Sequence, residues 1–414
     1  MKPILLVAYH YPPEGSSSGV LRALKFSKYL PHHGWRPHVL TLRESAYRVK
    51  DEGLLRDVPA EAVVHRTRGR DGARWLGLGK RYISLFTVPD RFASWLPFGI
   101  ARGLRVIRSA GVRALYSTSP QPTAHLIAAA LKGATGLPWI ADFRDPWIEE
   151  GNHPRPGSLR YRVESRLEAL VIRNADRISV TTPYLRGDFL GRYRDLPPDK
   201  VRVIYNGYDE ADFADMDGPV RSGRFEILHA GLVTRDYRDP APLLEVVAAL
   251  IADGRIAPGT VRIRFLGDTK YLTSHHFTEG VRGLGLAEVV EVLPRIPHRE
   301  ALAMLRQASC LLLLQASHDT RSLIPAKAFE YLRVGRPILA LTPEGATSDL
   351  LKEIDHCWVV NPSDGARLRN AVLGLYQEWR AAPEAVVVAR NIEHFERGNL
   401  TAGLAQILHE LDGE

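Results

Sequence analysis

The chain has 414 residues, of which 45% are hydrophobic and 25% are charged, and its formal net charge is +8. These values are typical of a soluble globular protein and argue against a disordered or fibrous one. No apolar run is long enough to span a bilayer, the first residues do not resemble a signal peptide, and two cysteines do not suggest a disulfide framework. We therefore expect a cytoplasmic protein, and the length predicts two domains.

The chain opens with a strand, a helix and a second strand, expected over Ile4–Ala8, Val20–Leu30 and Pro37–Thr41. This βαβ pattern predicts a doubly wound parallel sheet, in which ligands bind beyond the carboxyl end of the first strand. The loop at that position is rich in glycine and serine but lacks the dinucleotide fingerprint and the P-loop motif. A dinucleotide or triphosphate site is therefore disfavoured, and we expect a loop that lets a phosphate or a sugar approach the backbone.

The segment Arg66–Arg113, called here the basic-aromatic segment, interleaves basic side chains with aromatic and aliphatic ones, and its acidic residues are Asp71 and Asp90. Such a pattern suits a segment that lies on an anionic membrane surface. The alternative is a set of amphipathic helices whose arginines are simply solvated. Nucleic acid is not expected as a partner, because the sequence has no helix-turn-helix, RNA-binding or zinc signature.

Polar residues follow two further predicted strands of the first half. Ser117–Pro120 follows one strand, and Asp142–Trp147, with two carboxylates and an arginine, follows the next. Functional side chains collect at strand carboxyl ends because the loops there face a shared crevice. Asp142 and Asp145 could therefore orient or deprotonate a substrate hydroxyl. The alternative is an Asp–Arg ion pair that braces the loop.

A second βαβ series follows an acidic, turn-rich passage, Glu210–Arg224, which we interpret as a linker. The series runs from a strand at Phe225–Gly231 to a long helix at Ala366–Trp379, and an amphipathic helix follows at Leu400–Leu411. The two halves repeat one architecture without repeating a sequence. The predicted fold class is therefore α/β, with two Rossmann-like domains whose parallel sheets face a central cleft.

The second half contains a strand–loop–helix unit in which a helix is expected from Ala326 to Arg333. Pro325 suits the first turn of this helix, and the free N–H groups of that turn favour an anion. Lys327 and Glu330 share a helix face, so a cation for phosphate lies beside a carboxylate for ribose hydroxyls. The alternative is an ordinary crossover with surface charges.

The loop after the strand Phe225–Gly231 adds Arg235 and Arg238. Arginine grips phosphate oxygens through paired hydrogen bonds, so these side chains and Lys327 would together neutralise a diphosphate without a metal ion. The sequence has no His-Glu-x-x-His motif and no closely spaced pair of cysteines, and no metal is expected.

Several motifs occur in order along nearly the whole chain. They are Tyr11–Gly15 with Gly19 and Arg22, Gly34–Trp35, Pro89–Asp90 with Trp95, Ser117–Pro120, Asp142–Trp147, Tyr205–Asp209, His229–Gly231 with Arg238–Pro240, and Pro325–Pro337. In these motifs the chain resembles bacterial glycosyltransferases of the GT-B fold, of the retaining family 4 type. The resemblance implies transfer of a sugar from a nucleotide-diphosphate sugar to an acceptor hydroxyl, without a metal or another cofactor. It also implies that the donor binds the C-terminal domain and the acceptor the N-terminal one.

The resemblance implies domains at residues 1–208 and 222–388, and a helix at residues 389–414 that crosses back to the first domain. The expected catalytic residues are Asp145, Asp142, Lys327 and Arg238. The expected donor-binding residues are Gly15, Ser18, Gly19, Gly231, Arg235, Arg238, Ser322, Ile324, Ala326, Lys327 and Glu330. The expected acceptor-binding residues are His10, Asp90, Trp95, Ser119, Arg144 and Trp147.

One position departs from the family pattern. The family has two glutamates flanking seven residues; the second matches Glu330, but Ser322 stands at the first. Positioning of the donor sugar then passes to backbone N–H groups, to Lys327 or to no group at all, so donor choice or activity is expected to differ from the family. The alternative functions are a sugar-nucleotide epimerase of the same fold and a non-catalytic binder of sugar nucleotides.

The expected reaction is hexosyl transfer in polysaccharide biosynthesis. The acceptor is a glycan, a lipid-linked intermediate or a natural product, and the basic-aromatic segment favours a lipid-linked sugar at the inner face of the plasma membrane. Loss of diphosphate leaves an oxocarbenium-like sugar, so fixed cations that stabilise the departing charge are the main requirement. The leaving oxygen would take the acceptor proton, and retention then needs no enzymic nucleophile.

Overall fold

The computed structural model describes the whole chain except residues 18, 73–87, 149–155, 215–222, 268, 316–319, 384–388 and 414. It divides into two compact units, the first formed by Met1–Asn206 with Glu396–Glu414 and the second by Gly207–Phe395. The sequence prediction sets its boundaries at residues 208, 222 and 389 instead. Part of the predicted linker belongs to the second unit, where the Nε of Arg333 donates to Glu210 over 2.6 Å.

The first unit has a seven-stranded sheet. Its strands are β1 (Lys2–Ala8), β2 (Trp35–Leu42), β3 (Val63–Thr67), β4 (Ala114–Thr118), β5 (Trp139–Phe143), β6 (Arg177–Val180) and β7 (Val201–Val203). They pair in the order β3-β2-β1-β4-β5-β6-β7, and every pair is parallel. The order reverses between β1 and β4, which is where folds of this class leave a crevice for a ligand.

Apolar cores cover both faces of this sheet. Alternate residues of β1 enter different cores, Leu5 and Val7 one and Ile4 and Leu6 the other. A strand buried on both faces reads as a continuous apolar run, which is why its sequence shows no alternation. Helices supply the other side of each core. They are α1 (Val20–Tyr29), α2 (Leu96–Ala110), α3 (Pro122–Thr135), α4 (Leu159–Asn174) and α5 (Pro183–Arg192).

The second unit repeats this architecture with six parallel strands. They are β8 (Phe225–Ala230), β9 (Val261–Gly267), β10 (Val290–Pro294), β11 (Cys310–Leu314), β12 (Ile338–Leu341) and β13 (Cys357–Val360). The strand order is β10-β9-β8-β11-β12-β13, so the order reverses between β8 and β11. Its helices are α6 (Ala241–Ala252), α7 (His275–Gly283), α8 (His298–Gln307), α9 (Ala326–Val334), α10 (Ala346–Lys352) and α11 (Gly365–Ala381).

Two elements differ from the sequence prediction. Helix α10 was not predicted, because seven residues are too few to show a helical period; the Ser348 hydroxyl accepts the Gly345 N–H over 2.9 Å at its start. The sequence of Lys200–Tyr205 also predicts a strand, but β7 covers only Val201–Val203 of it. Beyond it, the carbonyls of Ile204 and Tyr205 accept hydrogen bonds from Arg22.

The last helix, α12 (Arg397–Asp412), belongs to the first unit. Its apolar face enters the core that contains Ile4 and Leu6, through Leu400, Leu404, Ile407 and Leu408. Polar contacts also hold it, since the Nζ of Lys2 donates to Asp412 over 2.6 Å. Within the described part of the chain, no helix combines the length and the apolar character needed to cross a membrane.

Candidate active site

A buried ion pair stands at the carboxyl end of β5 in the first unit. The Arg22 guanidinium donates to both oxygens of Asp142, from Nε over 2.8 Å and from Nη2 over 2.6 Å, and neither residue is more than 1% exposed. Asp142 also accepts from the hydroxyls of Thr118, over 2.7 Å, and Ser179, over 2.6 Å. Arg22 further donates to the backbone beyond β7. The pair therefore ties β4, β5, β6 and the chain after β7 to helix α1.

The expectation that Asp142 acts in catalysis does not fit this geometry. Burial alone would raise its pKa, but the Arg22 guanidinium and the two hydroxyls hold it at about 2. A carboxylate that is always ionised, with every oxygen bonded, is a poor proton acceptor. Asp142 instead fills the alternative role stated above, an Asp–Arg pair that braces the loop.

Arg144 and Asp145 follow on the same loop and remain open to a ligand. The loop is fixed by its backbone, because the Arg144 N–H donates to the Ser119 hydroxyl over 2.8 Å and the Thr181 hydroxyl donates to the Arg144 carbonyl over 2.9 Å. Both side chains are half-buried. Among the described residues, the Asp145 carboxylate has no hydrogen bond or ion pair, so its oxygens are available to a substrate hydroxyl.

Gly19 is required beside Arg144. The Nη1 of Arg144 donates to the Gly19 carbonyl over 2.8 Å, and a Cβ on Gly19 would lie 2.5 Å from Nη2. A larger residue at position 19 would therefore displace the guanidinium from the start of helix α1. Gly19 and Arg144 were predicted to serve the donor and the acceptor respectively, and the structure brings them into contact. Ser18 lies outside the described residues.

His10 and Gly15 shape the loop after β1. The Nδ1 of His10 lies 2.7 Å from Glu14 Oε2, and the Ser16 N–H donates to the other oxygen of Glu14 over 2.8 Å. Although burial opposes it, these bonds keep the pKa of Glu14 below its usual value. A Cβ on Gly15 would lie 2.8 Å from the Asp51 backbone nitrogen, so this glycine permits a close approach of two chain segments.

Asp90 and Trp95, predicted to bind the acceptor, have structural roles. Asp90 accepts the N–H groups of Phe92 and Thr123 over 2.7 Å each, so it caps the start of helix α3. Trp95 is fully buried and donates to the Thr67 hydroxyl over 2.7 Å. Trp147 is half-buried and its indole N–H lies 3.3 Å from Glu164. An acidic or aromatic residue in a loop looks the same in the sequence whether it caps a helix, packs in the core or binds a ligand.

The second unit places a lysine at the carboxyl end of β8. The Nζ of Lys327 donates to the Ala230 carbonyl over 2.6 Å and lies 3.2 Å from the Nε2 of His229. Gly231 makes room for it, with a φ of 122°, and a Cβ on this residue would lie only 2.8 Å from Nζ. Helix α9 follows β11 in the chain, but its lysine amine lies at the carboxyl end of β8. The amine therefore lies where the strand order reverses between β8 and β11.

His229 controls the environment of this amine, and the sequence prediction gave it no role. It is fully buried, and its Nδ1 donates to the Leu312 carbonyl over 2.8 Å. Burial and Lys327 hold its pKa well below the usual value, so the ring is neutral and its Nε2 faces Lys327 as an acceptor. Burial and the nearby Arg238 lower the pKa of Lys327 to about 7.

Further cations and N–H groups surround Lys327. Arg238 is half-buried, its Nη1 lies 3.5 Å from the Leu232 carbonyl, and it has no ion pair in the described part of the chain. Burial lowers the pKa of Arg238 because it disfavours the charged guanidinium. An anion bound beside the guanidinium would offset this cost. Arg235 is exposed. Helix α9 begins at Ala326 with Pro325 as its N-cap rather than in its first turn, and no described side chain caps it.

Glu330 lies one turn further along α9. Its Oε1 is 2.9 Å from the Nε2 of His298, the first residue of α8. Sequence reasoning missed this partner because nothing in the pattern links the two helices. Ser322 and Ile324 lie in the loop before α9, which Gln315 braces by donating to the carbonyls of Thr320, over 2.9 Å, and Leu323, over 3.1 Å.

Comparison with known proteins identifies the first half of the chain. Residues 20–207 match the family model described as "Glycosyl transferase 4-like domain". This part of the chain is therefore similar to that family. This match includes Arg22, Asp142, Arg144 and Asp145. Among curated proteins, none matches the sequence.

Solved structures match the chain along its whole length. Sucrose-phosphate synthase from Thermosynechococcus elongatus is 16% identical, with 99% of each chain covered and a TM-score of 0.67. Anabaena HepE in complex with UDP and glucose is 14% identical, covering 99% of this chain and 100% of its own, with a TM-score of 0.63. UDP-GlcNAc 2-epimerase from Methanocaldococcus jannaschii is 11% identical, covering 99% and 100%, with a TM-score of 0.57. The predicted GT-B fold and the family 4-like resemblance are confirmed.

We predict that Asp142 and Asp145 separate into a structural and a functional carboxylate. Asp142→Asn should lower the free energy of unfolding of the first unit by about 3 kcal/mol, because Arg22 is left buried without a counter-charge. Asp145→Asn, the matched control, should change it by less than about 0.5 kcal/mol. The measurement is the protection of β5 amides against hydrogen exchange.

The same variants have a pH signature. Because the pKa of Asp142 is about 2 in the folded chain against a usual 3.8, the pair stabilises fully above about pH 4 and loses its effect as the pH falls toward 2. Asp142→Asn should flatten this part of the stability curve. Equal stabilities of the two variants would contradict the bracing role.

Proposed function

We propose that this chain is a retaining, metal-independent glycosyltransferase of the hexosyltransferase type. It would transfer a sugar from a nucleotide-diphosphate sugar to an acceptor hydroxyl. One observation carries the proposal, namely the half-buried Lys327 amine that Gly231 admits to the carboxyl end of β8. Anabaena HepE, a chain of this fold whose structure is a complex with UDP and glucose, supports the choice of donor.

The leaving diphosphate needs fixed positive charge, and the second unit supplies it within one loop and one helix. Lys327 and Arg238 are cations held by the backbone, and the uncapped start of α9 adds N–H groups and the positive end of a helix dipole. Charges that are already in place need not reorganise when the glycosidic bond to the diphosphate breaks. Glu330, held by His298, would accept the ribose hydroxyls.

The acceptor would bind the first unit beside Asp145. Its carboxylate can orient the attacking hydroxyl, while the leaving phosphate oxygen takes the proton and the new bond forms on the same face. No enzymic nucleophile is then required for retention. Ser322 would leave the donor sugar with backbone N–H groups rather than a carboxylate, so we expect the donor preference to be set there.

An epimerase remains the alternative because UDP-GlcNAc 2-epimerases share the fold. The two functions give different products when the enzyme is incubated with a sugar nucleotide and no acceptor. An epimerase converts the sugar nucleotide into its isomer, whereas a glycosyltransferase releases nucleotide in proportion to acceptor. A non-catalytic binder, suggested by Ser322, would bind the donor and do neither.

We predict acceptor-dependent release of UDP when the protein is given a panel of UDP-sugars and hydroxyl acceptors, undiminished by EDTA. Lys327→Ala and Arg238→Ala should each lower kcat/KM by about a hundredfold or more, because each removes charge stabilisation of the leaving group. Lys352→Ala, an exposed lysine of the second unit, is the control. Isomerisation without acceptor, or loss of turnover with EDTA, would refute the proposal.

We predict that donor binding takes up a proton at Lys327. Since the pKa of this amine is about 7 when no anion is present, it is charged below that pH and loses its charge above it. The sugar-linked diphosphate does not titrate near neutrality, so affinity for UDP-glucose should fall about tenfold per pH unit above about pH 7. Calorimetry should show this slope in the wild type and a flat profile in Lys327→Met. A flat wild-type profile would contradict the assignment.

A lipid-linked acceptor would bring the first unit to an anionic membrane. Helix α2, the described helix of the basic-aromatic segment, exposes Phe98, which is 46% accessible, together with Arg102, Arg105 and Arg108. Part of the segment, residues 73–87, lies outside the described residues. An exposed aromatic ring beside basic residues suits contact with anionic lipid.

We predict that the protein floats with vesicles of phosphatidylglycerol but not with vesicles of phosphatidylcholine. The double charge reversal Arg102→Glu with Arg105→Glu should abolish flotation, because it replaces attraction to the lipid headgroups by repulsion. Reversal of two exposed arginines of α11, Arg367→Glu with Arg380→Glu, should not. Equal flotation of both variants would place the membrane contact elsewhere.

A further inference from the structure

Arg144 carries a positive charge that the described protein does not neutralise. Its Nη1 donates only to carbonyl oxygens, those of Gly19 over 2.8 Å and Ser119 over 3.4 Å. Its Nε is buried with no hydrogen-bond partner. No carboxylate among the described residues forms an ion pair with it. Asp145, the next residue, favours its charged form without contacting it, whereas burial lowers the pKa of Arg144.

The neighbouring charges do not compensate either. Arg22 is matched by Asp142, and Glu14 is engaged by His10 and Ser16. Helix α1 begins at Val20, with Gly19 as its N-cap. It has no acidic residue in its first turn and no cap from a described side chain, so its positive end adds to the field at the guanidinium. A half-buried cation beside a helix start is costly unless an anion accompanies it. Among the described residues nothing supplies this anion, so the arrangement suits an anionic ligand.

We propose that Arg144 binds an anionic group, phosphate or carboxylate, of the acceptor. This inference rests on the proposed function and names the class of acceptor. Guanidinium is suited to either anion because its planar N–H groups match two oxygens at once. Asp145 follows Arg144 directly, so an acceptor anchored by its anion would present a nearby hydroxyl to the Asp145 carboxylate.

The donor diphosphate has separate cations in the second unit. Lys327, Arg238 and the start of α9 lie on elements β8 to α9, whereas Arg144 and Gly19 belong to the first unit. A variant at Arg144 should therefore weaken binding of the acceptor anion without weakening the nucleotide. A role in the donor site would do the opposite.

The test uses the full chain with inorganic phosphate and glucuronate as probes, each titrated by calorimetry with and without saturating UDP. In the presence of UDP, Arg144→Gln should weaken binding of phosphate, of glucuronate or of both by about tenfold or more, because a charge-assisted pair is lost. Arg144→Lys, which keeps the charge but not the fork, should weaken it less. Arg162→Gln, an exposed arginine of α4, should match the wild type. The affinity for UDP should stay within twofold in all variants.

Each outcome of these titrations either supports or contradicts the binding of an anion by Arg144. The probe that loses affinity in Arg144→Gln identifies the anion as phosphate or carboxylate. Equal binding of both probes by wild type and Arg144→Gln would overturn the inference, as would a loss of UDP affinity in that variant. If Arg144→Gln does not fold, the comparison of Arg144→Lys with Arg162→Gln carries the same decision. Failure of UDP to bind the wild type would count against the proposed function, while the phosphate and glucuronate titrations without UDP still test Arg144.

Discussion

The first unit depends on one buried ion pair. Arg22 and Asp142 are both removed from water, and such a pair is stable only when all its donors and acceptors are used. Two hydroxyls on β4 and β6 and two backbone carbonyls after β7 complete it. The pair thereby fixes the ends of four neighbouring strands and the start of α1. Arg144 and Asp145 lie two and three residues after Asp142, so the ion pair of Asp142 with Arg22 also fixes the position of their backbone.

The second unit also holds a partly buried cation, but it stabilises that cation in a different way. Its key cation, Lys327, pairs with no carboxylate among the described residues; its Nζ contacts a backbone carbonyl and the lone pair of a neutral imidazole. That environment keeps the amine in place yet leaves its charge unmatched, as a site for an anion requires. The charge of Arg22 is matched inside the first unit and shapes the fold, whereas the charge of Lys327 is left for the anionic ligand that we propose. Arg144 resembles Lys327 in this respect and differs from Arg22.

The sequence predicted the architecture closely because the apolar periodicity of helices and strands, and the glycines and prolines that end them, are features of neighbouring residues. Strand β1 and helix α9 could both be placed from neighbouring residues, and the two βαβ series followed. The site was harder, because its contacts join residues far apart. His229 with Lys327 and His298 with Glu330 pair residues on separate elements, and Asp90 caps a helix that starts more than thirty residues later. The two aspartates of Asp142–Trp147 looked equivalent in sequence, and it is their burial and their hydrogen-bond partners in the structure that distinguish them.

The place of helix α12 has a consequence for synthesis. The core of the first unit contains Leu400, Leu404 and Leu408, which the ribosome makes only after the whole second unit. Domains usually fold as they emerge, so the second unit can reach its final form while the first still exposes the apolar groove that α12 fills. During that interval the first unit is the vulnerable part of the nascent chain, despite being made first. Substitutions in α12 should therefore reduce the yield of folded protein more than their distance from either candidate site would suggest.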